Sequence, residues 1–517
     1  MISRPWSLPS DESGVGLPSF VTEFGLWDDR QAAAAEQVEA RLSEVDFVRV
    51  VFSDPHGLAR SKTMPASVFR SVLRNGMDFS AGPFLFDTGH AVAVDFLADA
   101  GLGIGELLGA GDFVLVPDPR TFQVLPRTEP RTAWVLGNEY LRDGSPHPLA
   151  ARNVLRRVCA QYARHELAPV IGLEVEWYLT RLTGGPPGNS GNGFGAQGPA
   201  PAVEAMNPGY QFNLDSYYDS VAEVTDPLGA MLLALGLPLR TIEHESGPGQ
   251  IETTFSPMLA LDAADAMLLF RTQVKQACRR LGYHASFMTL PRLESFDPSG
   301  WHLHQSVSST KTNLNLFAAG DSGHGSAQHS AQHSVQHSAQ DTISVEGAAY
   351  VEGLLTRARE FCLLSVPTVN GYRRLAPKFT LSPTAVNWRF EDRSALVRVL
   401  SGDSSTHVEN RIGEPCANPY LMIASQLYAG LEGLTAGGAA RAAYPRLPAS
   451  LPEAIDAFRA SSAAEELLGK PLKVCLTRLK ESEAARFAAW CTEEGGSAGP
   501  IADEVTEWEH REYFGVF

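Results

Sequence analysis

Two glutamates stand two residues apart in Gly172-Leu173-Glu174-Val175-Glu176-Trp177, with Val170 and Ile171 before them and Tyr178 and Leu179 after. That text reads as a strand, on which residues i and i+2 point to the same side. Two like charges side by side among apolar residues repel each other, and burying them unpaired costs on the order of several kcal/mol. A cation belongs over them. A second acidic pair, Glu245 and Glu252, brackets Ser246-Gly247-Pro248-Gly249-Gln250-Ile251, and the Gly-Pro-Gly turn lets the chain double back and bring the two carboxylates together. In Ser299-Gly300-Trp301-His302-Leu303-His304-Gln305-Ser306 the two histidines alternate with apolar residues and face one way, and Val408-Glu409-Asn410-Arg411 sets a carboxylate two residues from an arginine. Arg373, Arg374, Arg389, Arg393, Arg398 and Arg411 crowd one stretch of the chain. Carboxylates with an imidazole suit hard divalent ions, Mg²⁺ or Mn²⁺, better than zinc, and several glutamates can hold two such ions as a clamp on phosphate oxygens. Arginine grips carboxylate or phosphate through paired hydrogen bonds. An acidic metal cage beside an arginine cluster is the equipment of ATP-dependent phosphoryl transfer. Singly, each motif has a plainer reading: a solvated strand face, an ordinary turn, a satisfied core histidine. Their joint order carries the chemistry.

The elements that must position these groups follow from local pattern. Residues 1–26 are rich in Pro, Ser and Gly and read as a flexible tail. Trp27 to Leu42 reads as a helix, Phe47 to Phe52 as a strand closed by the turn Ser53-Asp54-Pro55-His56-Gly57, and Ala66 to Arg74 as a short helix. Strands at Phe113 to Pro117 and Thr132 to Leu136 complete a small α+β domain over 27–145. Leu149 to Glu166 is a helix leading into the Glu174 strand, Thr183 to Pro201 is a Gly/Pro/Asn-rich loop, and Ser220 to Leu235 and Leu259 to Leu281 are helices. Two more helices are expected at Leu451 to Leu468 and Leu472 to Thr492. Ser326 to Gln340 repeats Ser-Ala-Gln-His and spaces His329, His333 and His337 four apart. A helix would align them as a stripe for a transition metal, but with almost no apolar content the segment reads as an unpacked insertion at about 318–343.

Bulk properties narrow the class. At 517 residues the chain can bury a large core in two or more domains. A net charge of -17 with no basic stripe argues against nucleic acid. The six cysteines form no C-x-x-C pair, which argues against a disulfide framework or a structural zinc and fits a reducing cytosol. No signal pattern opens the chain, and no apolar run approaches the roughly 18 residues of a membrane helix. A soluble cytoplasmic protein with no membrane partner is expected.

The order Glu-x-Glu, then Glu-x6-Glu around Gly-Pro-Gly-Gln, then Ser-Gly-x-His-x-His-x-Ser resembles the glutamine synthetase family. So do Asn370-Gly371-Tyr372-Arg373-Arg374-Leu375, Asp392-Arg393-Ser394-Ala395-Leu396-Val397-Arg398, Glu409-Asn410-Arg411 and Ala417-Asn418-Pro419-Tyr420-Leu421. The likeness runs from about Phe47 to the C-terminus and is strongest from Glu174 to Leu421. It implies an α+β fold: a small N-terminal β-grasp-like domain and a larger catalytic domain, 146–517, built on a curved antiparallel sheet. It implies one metal site at Glu176, Glu245 and Glu252 and a second at Glu174, His302 and Glu409, with two or three Mg²⁺ or Mn²⁺ ions per active site. His304, Ser306, Arg393 and Arg398 match positions that handle ATP. Arg374, Arg411 and again Arg393 match positions facing glutamate, and Arg374 and Arg393 match catalytic positions. Homo-oligomers, often dodecamers, with active sites between subunits are implied as well.

The departures from the family pattern fall on the substrate side. Six residues after Arg374, where the family carries a flap glutamate that binds and deprotonates ammonium, this chain has Thr380, which cannot act as a carboxylate base. Asp297-Pro298 replaces the usual Asn-Gly, removing an N–H donor, and His407 stands in place of an arginine. Met77-Asp78-Phe79-Ser80 lies about where the family's N-terminal aspartate is expected, without the usual Phe-Asp-Gly-Ser order. Metal and nucleotide residues kept, ammonium residues changed: the pattern points to a γ-glutamyl-amine ligase of the polyamine or monoamine kind. In that chemistry ATP phosphorylates the γ-carboxylate of glutamate and an organic amine displaces the phosphate. A glutamine synthetase using ammonium is one alternative, and a silent homologue serving as a nitrogen-status sensor or scaffold is another.

Overall fold

A computed structural model describes residues 18–97, 101–185, 191–319, 343–379, 381–437, 443–493 and 504–517, and the chain divides into two units. The first takes in Met1–Phe52, Ser61–Phe79 and Phe113–His147. Its strands are β1 (Phe47–Ser53), β2 (Ala59–Pro65), β3 (Met77–Ser80), β4 (Asp112–Pro117), β5 (Gln123–Val124) and β6 (Thr132–Tyr140). They form one sheet in the order β2-β1-β6-β4-β3, with β5 on β6. The central strand β6 is buried along its whole length, runs parallel to β1 and is antiparallel to β4. The helix Asp29–Arg41 starts at a capping box between Asp28 and Gln31, and Ala66–Asn75 buries Phe69 and Leu73. Within the tail expected over 1–26, Phe20–Phe24 is helical instead: Ser19 caps it, and Val21 is buried with Val114, Val116 and Tyr140. Apolar packing and a cap outweigh the turn-forming composition there, and the tail's first 17 positions lie outside the described residues.

The second unit takes in Ser53–Arg60, Ser80–Asp112 and Pro148–Phe517. Its sheet is built on β7 (Leu167–Leu182), in which Ile171, Leu173, Val175, Trp177 and Leu179 are buried. Joined to it are β8 (Val203–Ala205), β9 (Leu239–His244), β10 (Gln250–Leu259), β11 (Tyr283–Ser286), β12 (Trp301–Ser309), β13 (Trp388–Phe390), β14 (Val397–Leu400) and β15 (His407–Gly413). The order is β13-β14-β15-β12-β7-β10-β9, with β8 and β11 also pairing β7. The recorded pairs are antiparallel except the edge pair β13–β14, which is parallel.

Helices Ala151–Arg164, Ala260–Arg280 and Val345–Arg357 pack around Pro419–Ala436. A Cβ on Gly353 would meet the Ala429 carbonyl at 2.0 Å, and one on Gly433 would meet that of Ala349 at 2.0 Å. Glycine lets these two helices approach backbone to backbone. Two helices differ from their sequence pattern. Asp215–Ala234 begins earlier than Ser220, and the helix expected over Leu451 to Leu468 divides into Leu451–Ala460 and Ser462–Leu468. Ser461 is extended at the break, and its hydroxyl accepts the Ala464 N–H at 3.0 Å, so a capping residue wins over apolar periodicity. The six cysteines are unpaired thiols. Among the described residues no helix is long and apolar enough to cross a membrane. The Ser-Ala-Gln-His repeat lies outside them.

Candidate active site

Strand register brings the separated motifs onto one face of the larger sheet. Glu174 on β7 lies opposite His302 on β12 and Thr254 on β10, and two residues along β7 Glu176 lies opposite Glu252. His304 sits between Gly172 on β7 and Glu409 on β15, and Glu409 in turn faces Arg398 on β14. Residues directly opposite one another share a face, as do i and i+2, so these side chains converge. Glu245 enters from the β9–β10 turn, which closes through Glu245 N–H to the Gln250 carbonyl at 2.8 Å and Gln250 N–H to that of Gly247 at 3.0 Å.

At the centre, His302 Nδ1 lies 2.5 Å from Glu174 Oε1 and 3.6 Å from Glu409 Oε1, and its Nε2 is 3.8 Å from Glu176 Oε1. His304 Nε2 is 3.0 Å from the other Glu174 oxygen. The Arg374 guanidinium stands 3.3 Å from His302 Nε2, so that nitrogen presents its lone pair and Nδ1 carries the proton given to Glu174. Among the described residues, donor atoms of Glu174, His304 and Glu409 lie within 4.8 Å of one another, and so do those of Glu174, Glu252 and His302. Glu174 thus belongs to both groups, and Glu252 groups with Glu174 and His302, whereas the sequence set it with Glu176 and Glu245. The charges of Glu176 and Glu245 both bear on Glu252.

Crowding splits the carboxylates electrostatically. Burial alone would raise Glu174 and Glu409. Hydrogen bonds from His302 and His304 outweigh it at Glu174, and the charges of His302 and Arg411 outweigh it at Glu409, so both sit below the ordinary carboxylate range. Glu176, by contrast, is pushed up to about 8 by burial and then by Glu245. Burial and then Glu243 push Glu245 to about 7, and burial followed by Glu174, Glu176 and Glu245 pushes Glu252 to about 10. Burial and then the Arg411 charge lower His302. Three carboxyls whose charge is resisted, crowded on one face, are a donor set short of positive charge. Oxygen-rich donors of this kind fit hard divalent ions.

The arginines differ in how they reach this face. Arg398 donates to Glu409 Oε2 at 3.2 Å and to Glu391 at 2.5 Å, and Arg411 pairs with Glu409 Oε1. Arg374 is buried, with both terminal nitrogens on the Arg411 carbonyl at 3.0 Å. A Cβ on Gly300 would meet that guanidinium at 2.6 Å, so Gly300 leaves it room. Arg373 points instead to Glu509, 2.8 Å away, and Arg389 to Asp392 at 3.7 Å. Arg393 is exposed and has no recorded hydrogen bond or ion pair among the described residues. A cavity of about 550 Å³ opens beside Glu174 and is lined by Gly172, His304, Ser306, Arg240, Ser405 and His407, among others.

Several participants escaped the sequence. Gln250 donates from one amide to Glu176 Oε2 and Ser299 Oγ, both at 3.1 Å, and accepts the Gly247 N–H at 2.8 Å, tying both acidic motifs to the histidine strand. Its place in Gly-Pro-Gly-Gln was the available signal. His407 Nε2 meets His304 Nδ1 at 3.1 Å, a contact no local pattern announces. The Pro298 carbonyl accepts from Gln250 at 3.4 Å. Asp78 lies on β3 of the first unit, paired with Arg142 at 3.2 Å, and Thr380 lies outside the described residues.

Comparison with known proteins matches this architecture. The family model for the glutamine synthetase catalytic domain matches residues 148–495. A gamma-glutamylanilide synthase from an Acinetobacter species is 36% identical over 96% of this chain and 99% of its own length. The glutamine synthetase of Methanosarcina mazei is 28% identical over 86% of this chain and 92% of its own. A solved structure described as "Apo GmaS without ligand" superimposes with a TM-score of 0.68 at 25% identity, covering 91% of this chain and 97% of that one. A glutamine synthase homologue at 22% identity, with a TM-score of 0.70 over 90% of this chain and 97% of its own, shares the fold. The chain belongs to the glutamine synthetase family of ATP-dependent carbon–nitrogen ligases.

Proposed function

We propose that this enzyme joins glutamate to an organic amine, with ATP first phosphorylating the γ-carboxylate and the amine then displacing the phosphate to leave a γ-glutamyl amide. The observation that carries the reading is an asymmetry. Each of the six metal-side positions holds the expected residue type, and Glu174, Glu176, Glu252, His302 and Glu409 lie on neighbouring strands, while Thr380, Asp297-Pro298 and His407 alter the substrate side. The relative named gamma-glutamylanilide synthase, matched over nearly the whole chain, supports the same reading.

Glu176, Glu245 and Glu252 would hold one divalent ion, Mg²⁺ or Mn²⁺, and Glu174, His302 and Glu409 a second. When bound, such ions supply the positive charge that lets one anion approach another. The chain's own residues do the rest. Gln250 fixes Glu176, Arg374 donates to His302 Nε2 and so sets the imidazole tautomer, and Gly172 leaves space beside His304. His304, Ser306, Arg393 and Arg398 are assigned to ATP, and Arg374, Arg393 and Arg411 to glutamate and the transferring phosphoryl group. The proposal extends to a cytoplasmic homo-oligomer, dodecameric by family resemblance, with active sites between subunits.

Phosphate release from ATP and glutamate, measured with ammonium against methylamine, ethanolamine, putrescine and aniline, tests it. Turnover with at least one organic amine well above that with ammonium is expected. Robust turnover with ammonium alone would overturn the reading in favour of a glutamine synthetase proper, a second reading supported by the relatives that carry that name.

A further inference from the structure

The segment between the β9–β10 turn and β12 holds a carboxylate that the metal row does not use. We propose that Asp297 receives the incoming organic ammonium, binding the cation and taking its proton so that the free amine can attack. This deepens the amine-ligase reading above and rests on it.

The Asp297 backbone is held rigidly. Its N–H donates to the Tyr178 hydroxyl at 2.8 Å, that hydroxyl donates back to the Asp297 carbonyl at 2.7 Å, and the neighbouring Phe296 ring lies 4.3 Å from the Tyr178 ring. Immediately downstream, the Pro298 carbonyl and Ser299 hydroxyl accept from the Gln250 amide that also holds Glu176. The carboxylate is therefore mounted on the same scaffold as the metal row. Its side chain has no recorded hydrogen bond or ion pair among the described residues, and burial alone raises its pKa. A half-buried carboxylate without a partner is costly, and a cationic ligand offsets that cost.

The surroundings fit an organic cation. Tyr210 is strapped across the turn that carries Glu245: its N–H donates to the Ser246 carbonyl at 2.5 Å, and Gly209 packs so closely that a Cβ there would meet Pro248 N at 2.7 Å. The Asp297 charge reaches both the Tyr210 phenol and the Glu245 carboxyl. Tyr210 is 56% exposed, which leaves ring surface for a ligand. A carboxylate whose charge reaches an open phenol ring suits an alkylammonium, through ion pairing and cation–π attraction.

The step balances. One ammonium proton passes to the Asp297 carboxylate and frees the nitrogen lone pair. That pair forms the N–C bond as the C–O bond to phosphate breaks, and the second nitrogen proton leaves with the phosphate.

The test compares ethylamine, protonated at neutral pH, with hydroxylamine, which is not, in the full-length enzyme. Asp297→Asn leaves the Tyr178 clasp intact, because Asp297 contributes only backbone atoms to it. The variant is expected to lower kcat/KM for ethylamine by about a hundredfold, at least tenfold more than for hydroxylamine, with the KM for glutamate unchanged. Asp297→Glu, which keeps the charge, is expected to recover part of the loss. Equal losses with both nucleophiles, or a raised KM for glutamate in their place, would overturn the proposal; the latter would assign the carboxylate to the α-ammonium of glutamate. Should the wild-type enzyme accept only ammonium, the amine-ligase reading fails separately, and ammonium takes the place of ethylamine in the same comparison.

Discussion

Replacing Glu252 by glutamine should stabilise the metal-free protein while abolishing turnover. Glu252 lies opposite Glu176 in the β7–β10 register, and burial, followed by the charges of Glu174, Glu176 and Glu245, pushes its carboxyl from 4.5 to about 10. A carboxyl raised in the fold leaves stability intact below its unfolded value near 4.5. It erodes stability as pH climbs toward the folded value, because over that window the unfolded chain releases the proton and the folded chain keeps it. At about pH 8 the ceiling on that loss is about 5 kcal/mol. Relaxation of the mutually repelling row and entry of water reduce it to about 2 kcal/mol, which for a chain this long is a shift of about 2 °C in Tm. Glutamine keeps the shape and removes the titration. Melting curves of chelator-treated wild type and E252Q are expected to coincide near pH 5 and to separate in favour of E252Q as pH rises to about 8. Added Mg²⁺ should reverse the order, since the wild type keeps all its donors. An advantage equally large near pH 5, or none at about pH 8, would refute the claim that carboxylate crowding dominates this face.

Three further outcomes are expected. His302→Ala or Glu176→Ala should abolish amide formation while leaving the circular dichroism spectrum unchanged; undiminished turnover would remove the metal assignment. Gln250→Leu strips Glu176 of a donor and orphans the Gly247 N–H, so Mg²⁺ affinity measured by titration should fall by about 10- to 100-fold, and an unaltered affinity would show that Glu176 needs no anchor. Thr380→Glu should move the ratio of ammonium to amine turnover toward ammonium; an unmoved ratio would place nucleophile choice elsewhere.

Local pattern revealed the pieces of the site and tertiary register revealed how they meet. The period-2 alternation around Glu174 and Glu176 and the Gly-Pro-Gly turn before Glu252 could be read directly, because each is decided within about ten residues. Pairing of β7 with β12, 120 or more residues downstream, is set by which apolar faces bury together, and no neighbouring residue encodes it. For that reason the sequence could single out the carboxylates and histidines as candidates yet could not foresee that Glu174 belongs to both groupings, or that Glu252 comes within reach of His302. Arg374 shows the same limit. Its type suggested a substrate grip, and the contacts of its terminal nitrogens with the Arg411 carbonyl and His302 Nε2 are ones that only the fold can create.

The division between sheet and loop also bears on where the chain can depart from the family's residue pattern. Glu174, Glu176, Glu252, His302, His304 and Glu409 all sit on paired strands, where a slip of one residue would turn every one of them to the opposite face. Their geometry is over-determined by the buried residues between them, Leu173, Val175, Ile251, Leu303 and Val408. Asp297, Pro298 and Tyr210 lie instead in connecting segments held at a few points by Tyr178, Gln250 and Ser246. A residue there can change without disturbing the register. An enzyme built this way can exchange one nitrogen nucleophile for another by altering loop residues, with the machinery that activates glutamate left in place. Nucleophile preference should therefore respond to substitutions at Asp297 and Thr380, and requirements for ATP and metal to those on the strands.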